Sequence, residues 1–183
     1  MKITLHKTLN ILFLTLSIFV TNGQTPLSRE YQIKAAFLFN FTQFVEWPTT
    51  SFASAHAPLV IGILGKDPFG SYLKETVSGE KVNEHPLVIQ YYTNPEEVRQ
   101  CHILFVGSPV PKKWAAIAEG LKKQNILTVS DETDFLTQGG MIRFFTKNNK
   151  IQIQINPEAT KAADLDVSSK LLRLAEIFIP TKK

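Results

Sequence analysis

The stretch Ala57–Gly65 reads APLVIGILG, apolar at almost every position and of strand length. A half-exposed strand alternates apolar and polar residues, because successive side chains point to opposite faces. A run without alternation is buried on both faces, as in a parallel sheet covered by helices. Three more segments read as strands: His85–Tyr92 (HPLVIQYY), His102–Gly107 (HILFVG) and Asn125–Asp131 (NILTVSD). Helical signals lie between them. After the first strand, Asp67 is placed as an N-cap and Pro68 as the first helical residue. Leu73 and Val77 supply that helix's apolar side, and Gly79 stops it. Asn94 and Pro95 open a short helical turn. The segment 108–124 predicts a helix with Trp114, Ile117, Ala118 and Leu121 at helical spacing. Apolar strands alternating with amphipathic helices predict an α/β fold, with a mostly parallel sheet of four strands and helices on both faces.

Toward the C-terminus the pattern changes. Met141–Phe145 and Ile151–Ile155 are extended runs around the polar turn Lys147–Asn148–Asn149–Lys150. They predict an antiparallel hairpin that extends the sheet, with the isoleucines of IQIQI inward and the glutamines outward. Beyond it come a short helical piece and a final helix from about Ser168 that carries Leu171, Leu172, Ala175, Phe178 and Ile179. Toward the N-terminus, the segment 25–48 predicts a helix capped by Ser28, with Glu30 in its first turn and Pro48 at its end. At about 100° per residue, Ile33, Phe37, Phe41, Phe44 and Trp47 share a core face, which Leu38 and Val45 widen. Phe39 falls among Gln32, Gln43 and Glu46 on the polar side. It is the aromatic left to meet a partner.

The first residues have the layout of a secretory signal peptide: basic Lys2 and Lys7, an apolar run Ile11–Val20, then Thr21, Asn22 and Gly23. That run is about half of what a membrane span needs. Residues 1–23 are therefore expected to be removed on export, leaving a single domain over 24–183. The net charge is +4, and two of those charges go with the leader. A balance that mild argues against a dedicated nucleic-acid binder. The chain has one cysteine, Cys101, so no internal disulfide can form. At the head of an apolar run it reads as a small buried hydrophobe.

No constellation of reactive side chains stands out. The loop Gly65–Gly70 (GKDPFG) sits where phosphate loops sit, but Ser71 and Tyr72 follow where the phosphate-binding lysine belongs. It reads as a plain βα turn. His6, His56, His85 and His102 show no metal-ligand spacing, so no metal or cofactor is expected. A hydrolase would have to draw on Ser108, which is followed by Pro109 and lacks the glycine of a nucleophile elbow, and on Asp131. Asp131, Glu132 and Asp134 read more simply as turn and cap residues. If a small molecule binds, the strand ends at Gly65, Gly107–Ser108 and Ser130 could frame its pocket. Gly139 and Gly140 would then offer bare backbone, although a positive φ or a close chain approach explains them equally well.

Four passages in order carry a resemblance: KAAFLFNFTQFVEWP (34–48), CHILFVGS (101–108), ILTVSD with a phenylalanine and then GGMIRFF (126–145), and IQIQINPEATKAADLDVSSKLLRLAEIF (151–178). Together they resemble the YfiR-like family of exported bacterial proteins, over roughly Ser28 to Phe178. The resemblance implies a periplasmic regulator that is not an enzyme. It implies inhibition of an inner-membrane diguanylate cyclase through that protein's periplasmic part, with consequences for cyclic-di-GMP signalling. It further implies a sequestering outer-membrane-associated partner and a homodimer. The better-known member carries disulfides, and the lone Cys101 departs from that pattern. Other members serve different membrane sensors, so a ligand-binding module acting on a sensor histidine kinase is the alternative. Inhibition by docking needs a surface patch with a few aromatic anchors. Phe39, Glu46 and Trp47 are the expected partner-binding residues. Gly65, Ser108, Ser130, Gly139 and Gly140 are the expected ligand-binding residues under the alternative.

Overall fold

The computed structural model describes residues 26–108, 114–121 and 124–180, and side chains from Arg29 onward. The expected signal peptide and the start of the expected 108–124 helix lie outside the described residues.

The all-apolar run forms β2 (Leu59–Leu64), after a two-residue β1 (Val45–Glu46) and a helix α1 (Pro26–Phe44). Every residue of β2 is buried, as the missing alternation requires. The helix α2 (Ser71–Val77) and a short β3 (Lys81–Val82) lead to β4 (His85–Tyr92), and β5 (Ile103–Val106) follows. The helix α3 (Trp114–Leu121) precedes β6 (Leu127–Ser130). The hairpin is β7 (Ile142–Lys147) and β8 (Lys150–Ile155), turned by Asn148 and Asn149, both at positive φ. Such a pair matches the twist of the flanking strands. The chain closes with α4 (Pro157–Ala162), β9 (Asp166–Val167), α5 (Ser169–Leu174) and β10 (Glu176–Ile177).

Eight strands form one sheet in the order β10-β8-β7-β6-β5-β2-β4-β3. Strands β4, β2, β5, β6 and β7 run parallel, so the first hairpin strand joins the parallel set through Val129 opposite Ile142. The hairpin partner β8 is antiparallel to β7. One core, on the face covered by α1, α2 and α5, holds Leu38, Phe41, Leu73, Leu171, Ile61 and Phe105. The other, under α3, holds Leu64, Leu104, Val106, Trp114 and Phe135. Neighbouring strand residues therefore divide between two cores, as a double-faced α/β sheet demands.

Four local expectations are corrected. α1 is already helical at Pro26, ahead of the expected cap Ser28, and it ends at Phe44 rather than at Pro48. Val45–Glu46 instead pair antiparallel with Val167–Asp166 of β9, and the Ser168 amide bonds the Phe44 carbonyl at 2.9 Å. The buried face of α1 is also turned from the expected one. Lys34, Ala35, Leu38, Phe41 and Thr42 are buried, while Ile33 is 40% exposed. Lys34 goes inside because it finds Glu30 at 2.6 Å and Asp131 at 2.7 Å. Asp67 does not cap α2: its carboxylate accepts the Phe69 amide in a tight turn, and Gly70 occupies the N-cap. The final helix starts next to Ser168, which caps it, and stops at Leu174. Phe178 and Ile179 lie past it, because Glu176–Ile177 pair in parallel with Gln154–Ile155 of β8.

Candidate functional site

The site is built where the end of α1 meets the amino ends of the parallel strands. Pairing of β1 with β9 pulls the chain out of the helix. Trp47 follows, and its Nε1–H donates to the His102 carbonyl at 3.2 Å, just before β5. The Trp47 ring stands edge-on to the His102 imidazole, with centroids 6.1 Å apart. Phe52 lies between two imidazoles, stacked on His85 at 3.9 Å and on His102 at 4.4 Å. His85 Nδ1 is 2.6 Å from the Ala57 carbonyl. His102 Nδ1 accepts the Val60 amide at 3.0 Å. That acceptor role requires a neutral ring. Burial, opposed by the Ser51 backbone and aided by His85, pushes the His102 pKa down to about 4. Among the described residues, Nε2 has no hydrogen-bond partner of good geometry. The loop 48–58 is thus fastened to the sheet by an aromatic stack.

Two grooves flank this point. The first, about 620 Å³, runs between Thr42, Trp47, Phe52, Leu59, Asn83 and His85. The second, about 540 Å³, runs between Pro48, Thr160, Lys161, Asp164, Asp166 and Leu172. Glu46 and Trp47 line both, so they form the ridge between them. Glu46, Asp164 and Asp166 are exposed, against one exposed lysine, Lys161. The second groove is therefore acidic, with an indole at its rim.

The structure brings Glu46 and Trp47 together and leaves Phe39 apart. Phe39 is half-buried against the core and is in the wall of neither groove. Among the described residues, the expected ligand residues at the strands' carboxyl ends are held by hydrogen bonds between neighbouring strands and loops. The Gly65 amide bonds the Tyr92 carbonyl, the Lys66 amide bonds the Ser108 carbonyl at 3.3 Å, and the Gly107 amide bonds the Leu64 carbonyl at 2.9 Å. A Cβ on Gly107 would sit 2.6 Å from the Lys66 carbonyl oxygen. Backbone contacts thus close the crevice between β2 and β5, where the strand order reverses. The Ser130 hydroxyl donates to the Val106 carbonyl. Gly139 has a φ of 92°, and a Cβ on Gly140 would strike the Phe135 ring, so both glycines answer a backbone need. Asp131, at the same end, accepts from Lys34 Nζ and from the Tyr31 hydroxyl, each at 2.7 Å. Burial first, then the Asp131 carboxylate, pushes the Tyr31 phenol up.

Sequence reasoning missed the His85–Phe52–His102 stack. The three residues are far apart in the chain, and the histidines could be weighed only for metal-ligand spacing. Among the described residues, no group of three or more His, Cys, Asp or Glu side chains could hold a metal ion. No described helix is long and apolar enough to cross a membrane.

Residues 31–176 match the YfiR/HmsC-like family of proteins. The chain belongs to that family. A search of curated proteins finds no match. YfiR/HmsC-like proteins are periplasmic regulators of membrane signalling proteins rather than enzymes. The match spans α1 to β10, so the ridge and both grooves belong to the family domain.

Proposed function

We propose that this protein is exported by its N-terminal leader and inhibits a membrane-bound signalling enzyme of the diguanylate cyclase type. It does so by docking on that enzyme's periplasmic part. The observation that carries the reading is the Glu46–Trp47 ridge between two grooves, in a domain of a regulatory family. A half-buried indole beside exposed carboxylates suits a partner that offers an apolar insert rimmed by Lys or Arg. The Trp47 hydrogen bond and the Phe52 stack hold the ridge in place, so little ordering entropy is lost on docking. Phe39, on α1 ahead of the ridge, belongs to the proposal as a flanking aromatic. The reading includes a homodimer and an outer-membrane-associated partner that sequesters the protein and so lifts the inhibition.

The test is cyclic-di-GMP output from a cell carrying the membrane cyclase, with and without this protein. Glu46→Lys reverses an exposed charge and leaves the core untouched, so it should fold normally and lose most of the inhibition. Phe39→Ala should lose less. Full inhibition by folded Glu46→Lys and Trp47→Ala variants would remove the ridge from the mechanism. Unchanged output with wild-type protein would remove the cyclase.

A further inference from the structure

Residues 48–58 form a strap at the amino ends of the parallel strands. From Thr49 to Pro58 only Ser51, Phe52 and Ala57 are half-buried, and the rest is exposed. Its backbone bonds from Ser51 to Pro48, Phe52 to Thr49 and Ala57 to Ser54 stay within the strap. Two histidines of the sheet tie it down. His85 Nδ1 bonds the Ala57 carbonyl, and Phe52 stacks between the His85 and His102 rings.

His102 is buried, and its Nδ1 accepts the Val60 amide at 3.0 Å. A neutral imidazole that accepts at Nδ1 carries its proton on Nε2. A second proton can therefore go only to Nδ1, where it would meet the Val60 N–H donor to donor. None of the described neighbours offers such a charge a counter-ion. Ser51 and Phe52 of the strap, Trp47, Val60 of β2 and Leu127 of β6 do not titrate. His85 of β4, across the Phe52 ring, opposes the charge. Glu46 and His56, the other titratable groups at the strap, are exposed. A charged His102 needs water, and the Phe52 ring lies against its face.

We propose that His102 is a proton-operated catch: its protonation releases the strap 48–58 and Trp47 while the rest of the sheet stays folded, so the first groove comes apart in acid. Thr49, Phe52, Ser54 and Ala55 of the strap line that groove together with Trp47. Trp47 lets go with the strap because its indole donates to the His102 carbonyl. On the docking reading, acid would therefore free the partner. The release itself does not rest on that reading and is tested without a partner.

The test is native-state hydrogen exchange of the ¹⁵N-labelled mature chain in low urea, at about pH 7.5 and about pH 4.5, with rates corrected for intrinsic pH dependence. With a folded pKa of about 4 against an ordinary 6.5, protection of the Val60 amide should fall about 50–100-fold between the two. The Trp47 indole N–H should lose protection with it. At the lower pH both should exchange faster than the Phe105 amide of β5 and with little urea dependence, because a small opening exposes little surface. His102→Asn keeps an acceptor and does not titrate, so it should hold Val60 protection within about 3-fold. His102→Gln serves if the first variant does not fold. The proposal is overturned if wild-type Val60 protection changes less than about 5-fold, or if a folded variant loses it as the wild type does. It is also overturned if Val60 and Phe105 share one protection factor and one urea slope at the lower pH, since the strap would then leave only with global unfolding.

Discussion

Lys34 is an ammonium in the interior, and its surroundings set a definite order among substitutions. The residue is 2% exposed. Its Nζ meets Glu30 at 2.6 Å and Asp131 at 2.7 Å, and it lies 4.3 Å from the centre of the Tyr31 ring. The two carboxylates are more open: the side chains of Asp131 and Glu30 are 23% and 34% exposed. Removing one partner of a fully buried pair costs about 3–5 kcal/mol, because the other charge is left without compensation. In Asp131→Ala the stranded charge is the buried one, but Glu30 remains. The expected loss is therefore about 2–3 kcal/mol, or about 6–10 °C in Tm. In Lys34→Met the stranded charges are carboxylates that water can reach, and a methionine stem still packs on Tyr31 and Phe144. That loss should be about 1 kcal/mol. Urea unfolding followed by circular dichroism near pH 7 measures both. A Lys34→Met variant as destabilised as Asp131→Ala, or an Asp131→Ala loss below about 0.5 kcal/mol, would refute this account of the cluster.

Acid should weaken the fold through His102. Its folded pKa of about 4 lies below the ordinary value of 6.5, so the unfolded chain binds the extra proton first. The stability is fully present above pH 6.5 and is lost as pH falls toward 4, by about 2–3 kcal/mol. His102→Asn, which keeps an acceptor for the Val60 amide, should flatten that slope in urea midpoints taken at pH 7.5 and 4.5. Cys101 should resist thiol reagents in the native state, because burial pushes its thiol up to about 12 and its Sγ–H donates to the Ile103 carbonyl. Labelling at pH 8 should appear only with denaturant, and native-state labelling would show the pocket around it to be open. Gly107→Ala should cost about 2–3 kcal/mol, since its methyl would press on the Lys66 carbonyl. An unchanged Tm would mean that the β2–β5 crevice can part.

The strands and their burial were legible in the sequence, because burial on both faces leaves a run such as Leu59–Leu64 without polar positions. The hairpin turn, the turn opened by Asn94 and the start of the last helix near Ser168 were legible too, since each depends on residues adjacent in the chain. The end of α1 was not. Helical periodicity continues through Trp47, and only β9, more than a hundred residues on, pulls Val45 and Glu46 into a ribbon. The buried face of α1 was misjudged for a related reason. Periodicity assigns a lysine to water, and nothing local announces that Asp131 waits to receive Lys34.

Sequence alone determined the class of fold, the family and the absence of an internal disulfide, because these follow from composition, pattern and motif order. Tertiary structure alone decided that Glu46 and Trp47 crest a ridge while Phe39 does not, that two histidines clasp Phe52, and that backbone bonds tie β2 to β5 at their carboxyl ends. Each of those depends on segments distant in the chain meeting in space, and short-range pattern carries no record of such meetings.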